Sequence, residues 1–319
     1  MNATNGLLRV LQKSSANLYR ASQSGKNVGC VVSGGFKRYY SPQPVKRFYA
    51  CVNVSPASES SSADESSTTY EITLDRRKLR TPARNVFQVD NPGVAYTVGA
   101  EWAAQGKTLA QSSMHLTALS NTSQDNPTRK TKYDLATEML TLLTSDTIIF
   151  RSPEDSRLWE MQRDLWDPVL YWFQDEFSIK LPIVSGTILC PEIPEDSLVS
   201  LKNFILSHSF EAVQGLAFSC HTLRSVILPI AVAKNRLRAD DAVRLSRLEI
   251  DFQSSHWGKV EWAHDLEYYD TLMRTSAGMM FYDFHTKIPY TSFQDLSQES
   301  KPLENTANDS NATAAAEAK

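Results

Sequence analysis

Polar and apolar residues alternate through Glu71-Ile72-Thr73-Leu74, the two-residue period of a strand with one face against a core. Upstream, RFYACVNVS (Arg47 to Ser55) carries the β-branched and aromatic residues of a second strand. Asp75 to Lys78 reads as a turn, with Leu79-Arg80-Thr81 as the return strand. PGVAYTVGAEWAAQ then leads into a short helix carrying Trp102, so the chain up to about residue 125 is strand-dominated.

From Arg129 the period lengthens. Leu135, Met139, Leu142 and Leu143 share one face of a helix ending near Thr144, followed by an extended piece to Phe150. Ser152-Pro153-Glu154-Asp155 is a helix start signal, because proline suits the first helical position and acids the first turn. Pro168 should interrupt or kink the pattern that follows. Four further segments of helical pattern run to about Phe284. The predicted fold class is α+β: a small β-rich amino-terminal domain over residues 46–128, then an all-α helical carboxy-terminal domain over 129–285. Residues 55–69 (Ser-rich) and 286–319 (Asn-, Ser- and Ala-rich) bury too little to fold, and are expected as a flexible insertion and a disordered tail.

Charge changes the picture at the amino terminus. Eight of the 33 basic residues precede the first acid, Glu59, which leaves 25 against 36 acids and a net charge of −11 thereafter. An acid-free, Ser-rich leader with Leu7, Leu8, Val10, Leu11 and Leu18 at roughly helical spacing reads as a mitochondrial transit peptide over residues 1–40. RYYSPQ resembles a matrix-peptidase site, with Arg38 third before a cut after Tyr40. A disordered basic tail is the alternative; the transit peptide implies the mitochondrial matrix. No apolar run reaches the roughly 18–20 residues that span a bilayer, so no membrane insertion is expected. The acidic remainder argues against generic nucleic-acid binding. Cys30, Cys51, Cys190 and Cys220 lack metal-ligand spacing, and the three beyond the leader read as core residues.

Catalytic motifs are absent: there is no GxxxxGK[ST], GxGxxG, GxSxG or HExxH. His115 and Asp125 with the hydroxyls between them are the residue types of a triad, but in this run they read better as a strand or short helix entering an Asn-Pro turn, with Asn121 and Asp125 capping local backbone. His208, His221 and His264 stand on separate helices, and Trp159, Trp166 and Trp172 read as packing residues. Neither a cofactor nor a metal is expected.

One cluster resists this sorting. RLEIDFQSSHWGKVEW (Arg247 to Trp262) holds Glu249, Asp251, Gln253 and His256 in one expected helix. At about 100° per residue, Glu249, Gln253 and His256 form one stripe and Asp251 lies opposite, free to pair with Arg247. Leu245, Leu248 and Phe252 flank the Glu249 stripe on one side, and Val243, Ile250 and Trp257 on the other. A carboxylate between two apolar stripes needs a partner. Three readings stand: a helix amino terminus or arginine within the bundle, a partner protein, or metal and catalysis.

EW (Glu101-Trp102), MHLTALSNTSQDNP, LTSDTIIFR, WDP and RLEIDFQSSHWGKVEWAHDLE together resemble, over residues 46 to 284 and in family order, the twelve-type assembly chaperones of the mitochondrial ATP synthase catalytic head, the assembly factor 2 family. The resemblance implies a non-enzymatic, monomeric matrix chaperone that binds the unassembled α subunit and keeps it soluble until the α/β hexamer forms. It also implies a small β-rich domain before a helical one. The family's acidic motif falls on Glu249 to Gly258, with Ile250 where relatives often carry a second acid. Glu249, Gln253, Ile250 and Trp257 are the expected partner-binding residues, and Trp102 secures the amino-terminal domain. The competing class is a matrix enzyme using Glu249 and His256.

Overall fold

The computed structural model describes residues 45–57, 69–153, 156–186 and 189–286. The leader, most of the Ser-rich insertion and the tail therefore lie outside the described residues.

Strand β2 (Tyr70–Leu74) organises the first region. It pairs antiparallel along its length with β1 (Val52–Pro56), and its other edge is shared by β3 (Arg77–Lys78) and β4 (Gln88–Val89). The expected four-residue turn shrinks to Asp75-Arg76, with Asp75 at φ 54°. Its carboxylate accepts the Ala50 and Cys51 amides, which ties the approach to β1 to the turn. The first strand begins at Val52 rather than Arg47, because Arg47 folds its guanidinium onto the Ala103 and Gln105 carbonyls.

Ile72 and Leu74 face helix α1 (Pro92–Ala103), which Asn91 caps by accepting the Gly93 and Val94 amides. A Cβ at Gly99 would stand 2.9 Å from the Val54 side chain, so glycine sets the approach of α1 to the sheet. Helix α2 (His115–Asp125) follows. Glu101 caps it from α1, Oε1 taking the Leu116 amide and Oε2 the Thr117 amide and hydroxyl. Asp125 does not cap its own helix. It holds the 81–85 loop through the Thr81 hydroxyl, the Ala83 amide and the Asn85 side chain.

Helix α3 (Lys132–Leu143) starts on a capping box, Thr131 with Asp134, and buries Leu135, Met139 and Leu143. β5 (Phe150–Arg151) pairs in parallel with β6 (Val184–Ser185). Between them α4 (Arg157–Phe177) runs 21 residues with Pro168 inside it. The expected interruption does not occur: Pro168 lies on the exposed face, and burial of Trp166, Val169, Leu170 and Phe173 holds the helix across it. Its cap is Ser156, not the Ser152 signal. Then come α5 (Val199–Leu206), α6 (Phe210–Leu223), α7 (Ile227–Ala233), α8 (Ala239–Ser246), α9 (Leu248–Trp257) and α10 (Ala263–Phe284).

Two buried apolar clusters result. One gathers the sheet, α1 and α2; the larger gathers α3 through α9. Helix α10 serves both, Phe281 entering the first and Met279 and Tyr282 the second. It crosses α6 at close range, since a Cβ on Gly215 would meet the Gly278 carbonyl at 2.7 Å. Asp146, wholly buried, accepts the Ile148, Val226 and Ile227 amides and the Ser225 hydroxyl, so it joins the end of α3 to the start of α7. The α+β reading holds. Cys220 is buried, but Cys51 and Cys190 are exposed, against expectation, because both stand on connecting chain.

Candidate functional site

The helix expected across Val243 to Trp257 is two helices. The chain breaks at Arg247, which is buried at 4% exposure, and again at Gly258, with φ 84°. A buried guanidinium requires acceptors, and Arg247 finds them on α10: the Glu267 carboxylate at 3.2 Å and the His264 carbonyl at 3.3 Å. The expected pairing with Asp251 is thereby overturned, and Asp251 stays exposed. The break also moves Val243 and Leu245 onto a different helix from Ile250 and Trp257, so neither apolar stripe is continuous.

Glu249, Gln253 and His256 still share one face of α9, but their surroundings differ. Glu249 is half-buried, and its Oε1 accepts a 2.7 Å hydrogen bond from Nε2 of the fully buried Gln162 on α4. Gln162 is fixed in turn, because its Oε1 accepts the Ser152 amide and its carbonyl accepts Arg151. Arg151 completes the cluster by pairing with Asp167 at 2.7 Å and lying over the Trp166 ring, while Trp166 Nε1 donates to the Leu245 carbonyl. Burial pushes the Glu249 carboxyl above its ordinary value, and the Gln162 hydrogen bond pulls it back in part. The bundle therefore supplies the partner for Glu249, through an amide rather than the helix terminus or arginine expected.

Gln253 is exposed, Ile250 half-buried, and Trp257 81% exposed. Trp102 belongs elsewhere: it packs against the first cluster, its carbonyl accepting the Tyr49 hydroxyl and its ring lying 5.7 Å from that of Tyr49. Four of the five expected site residues are thus on α9 and the fifth is on α1.

Sequence reasoning missed what lies just beyond α9. Val260, Trp262, Leu266, Tyr269 and Met273 are all exposed. Leu266, Tyr269 and Met273 fall within an arc of about 60° on α10, and Met280 extends the row. From Ala263 to Arg274, α10 buries no residue. Spacing of three and four from Leu266 was the signal, and attention to the Glu249 stripe passed over it.

The catalytic alternative finds no pair. Glu249 turns to α4, whereas His256 Nδ1 lies against the Phe252 carbonyl at 3.0 Å, about two turns away along α9. His208 meets Tyr282, His264 meets Ser254, and among the described residues no group of three or more His, Cys, Asp or Glu is placed to hold a metal. No helix among them is long and apolar enough to cross a membrane.

Comparison with known proteins finds relatives of this chain. A family model described as ATP12 chaperone protein matches residues 46–174, from the approach to β1 into α4. The mitochondrial protein atp12 of Schizosaccharomyces pombe is 25% identical over 206 residues, covering 61% of this chain and 71% of its own. Among solved structures, Atp12 from Paracoccus denitrificans gives a TM-score of 0.63 at 23% identity, covering 76% of this chain and 98% of that one. The Atu1473 protein of Agrobacterium tumefaciens, described as a putative chaperone, gives 0.66 at 24% identity, covering 75% and 85%. These two likenesses establish the shared fold.

Proposed function

We infer from the match of the ATP12 chaperone model to residues 46–174, and from the likeness to mitochondrial atp12, that this chain is a mitochondrial assembly chaperone of the ATP synthase. We propose further that it works in the matrix, after loss of a transit peptide, without enzymatic activity of its own. There it binds the unassembled α subunit of the catalytic head and prevents its aggregation before the α/β hexamer forms. The observation that carries the reading is the ATP12 match over residues 46–174. An unassembled subunit exposes an interface large enough to aggregate, and its chaperone needs apolar contact area with a few directional polar groups. It must also yield to the final partner, which suits modest affinity. Ile250, Gln253 and Trp257 supply such groups on α9, Glu249 holds that helix in place, and Trp102 secures the amino-terminal region.

The test dilutes denatured α subunit into buffer with and without the full chain and follows light scattering. Suppressed scattering and a soluble complex that releases α when β is added support the reading. Unchanged scattering with no complex rejects it. Purified protein that carries a bound metal or cofactor would instead favour the matrix enzyme.

A further inference from the structure

The exposed apolar residues beyond α9 are arranged, not scattered. Trp257 ends α9, Val260 and Trp262 fill the connection, and Leu266, Tyr269 and Met273 continue along α10. Along α10 alone the row from Leu266 to Met280 spans about 21 Å. Isolated exposed apolar residues need no explanation, but six large ones within 17 consecutive residues, two of them tryptophan, are what an interaction surface looks like.

Backbone geometry gives a second, independent indication. Trp262 adopts φ 67°, a conformation that a bulky side chain rarely takes, and its side chain is 72% exposed. The indole gains no buried contact that would compensate for the strain, so strain and exposure together mark a residue held out for another molecule.

Charge narrows the occupant. Between Trp257 and Met273 stand four acids, Glu261, Asp265, Glu267 and Asp270, and one base, Lys259. Lys259 lies 3.9 Å from Asp265, Arg247 pairs with Glu267, and Arg274 with Asp270, which leaves Glu261 unpaired among the described residues. With its bases already paired and Glu261 left over, two copies of this face offer each other no free base, which gives a symmetric dimer no ionic complementarity. The complementary surface is apolar and fringed with lysine or arginine.

We propose that the α9–α10 connection and the first three turns of α10 form the client-docking face, and that the client meets it with an apolar surface bordered by basic groups. This rests on the chaperone reading above and deepens it. Trp257, Trp262, Tyr269 and Met273 are the contact residues. Glu249 is a positioning residue, which seats α9 on Gln162 and so aims Trp257.

The client used in the test is the isolated ATP synthase α subunit, with the full chain in every arm. If the unaltered chain fails to suppress aggregation of α, the chaperone reading fails and the docking face is not at issue. If it succeeds, two variants decide. Trp262→Gly accepts the same backbone without strain, and the Tyr269→Ser/Met273→Ser double variant removes exposed side chains only; both should keep their melting temperature. Each should weaken capture at least about tenfold, as loss of a central contact does. Equal capture by both overturns the docking face. Glu261→Lys combined with Asp265→Lys should lower capture and flatten its dependence on salt, and unchanged capture would remove the basic fringe from the proposal. A photoreactive phenylalanine analogue at Tyr269 should cross-link to α; cross-links only within the chain or between copies of it would assign the face to a different occupant and overturn the proposal.

Discussion

Asp146 and Glu249 are both carboxylates drawn out of water, and the regions around them are built to opposite ends. Asp146 is enclosed by α3, α6 and α7, and four donors converge on it. Glu249 accepts one hydrogen bond, at the root of a segment in which α9 buries only Leu248 and Ser254. In the first region polar groups lock elements together. In the second, one polar tie seats a helix whose remaining surface is left open. The molecule is densely packed where α3 to α7 meet and spare where it presents side chains.

The largest break in that comparison is Asp146→Ala. It orphans two amides at the head of α7 and one at Ile148, and should cost about 3–5 kcal/mol of unfolding free energy, read by urea titration. Gly278→Ala comes next. Its Cβ would stand 2.9 Å from the Gly215 carbonyl, with Ser219 also against it, so the α6–α10 crossing must open at about 1–3 kcal/mol. Gln162→Leu should cost about 1–3 kcal/mol by unfolding, since it strands the Ser152 amide and frees Glu249. It should also shift the emission of Trp257, which an effect confined to the core would not do.

Glu249→Gln is subtler and depends on pH. Burial holds the carboxyl above its ordinary value, so the folded chain binds this proton more readily than the unfolded one. The contribution favours folding in full below the ordinary carboxylate range and is lost as pH rises through the raised value. Melting temperatures should therefore agree in acid, with the glutamine variant more stable at about pH 8; the reverse order would mean the carboxylate gains on folding. Smallest of all is Trp257→Ser, expected within about 0.5 kcal/mol of the unaltered chain by urea titration. A loss of several kcal/mol would show the indole to be packed and erase the contrast.

Much of the fold was legible because local signals agreed. Alternation marked β2, the run PGVAYTVGAEWAAQ marked α1, and the Leu135–Met139–Leu143 spacing marked α3. Pro168 misled because a proline on the exposed face of a long helix, opposite Trp166 and Phe173, does not stop burial on the other face. Arg247 misled more. Nothing local distinguishes a solvated arginine from one drawn inward by Glu267 and His264, and that single burial splits a helix and dismantles the paired stripes read beside Glu249. The need of Glu249 for a partner could be read from its neighbours; Gln162, 87 residues earlier, could not. The exposed row was present in the spacing of Leu266, Tyr269 and Met273, but a row of apolar residues does not declare whether its own chain will cover it.

Phe281 and Phe284 carry a consequence for the order of events along the chain. Phe281 sits buried in the cluster of Tyr49, Ile72, Phe87 and Val94, Phe284 packs against that cluster, and Asn91 donates to the Phe284 carbonyl. The first strands to emerge from a ribosome, or from a translocation pore, thus lack part of their own core until the last helix arrives, and Asn91 waits 193 residues for Phe284. The sheet cannot be finished early, and a chain cut short before α10 should leave its beginning as exposed as its end.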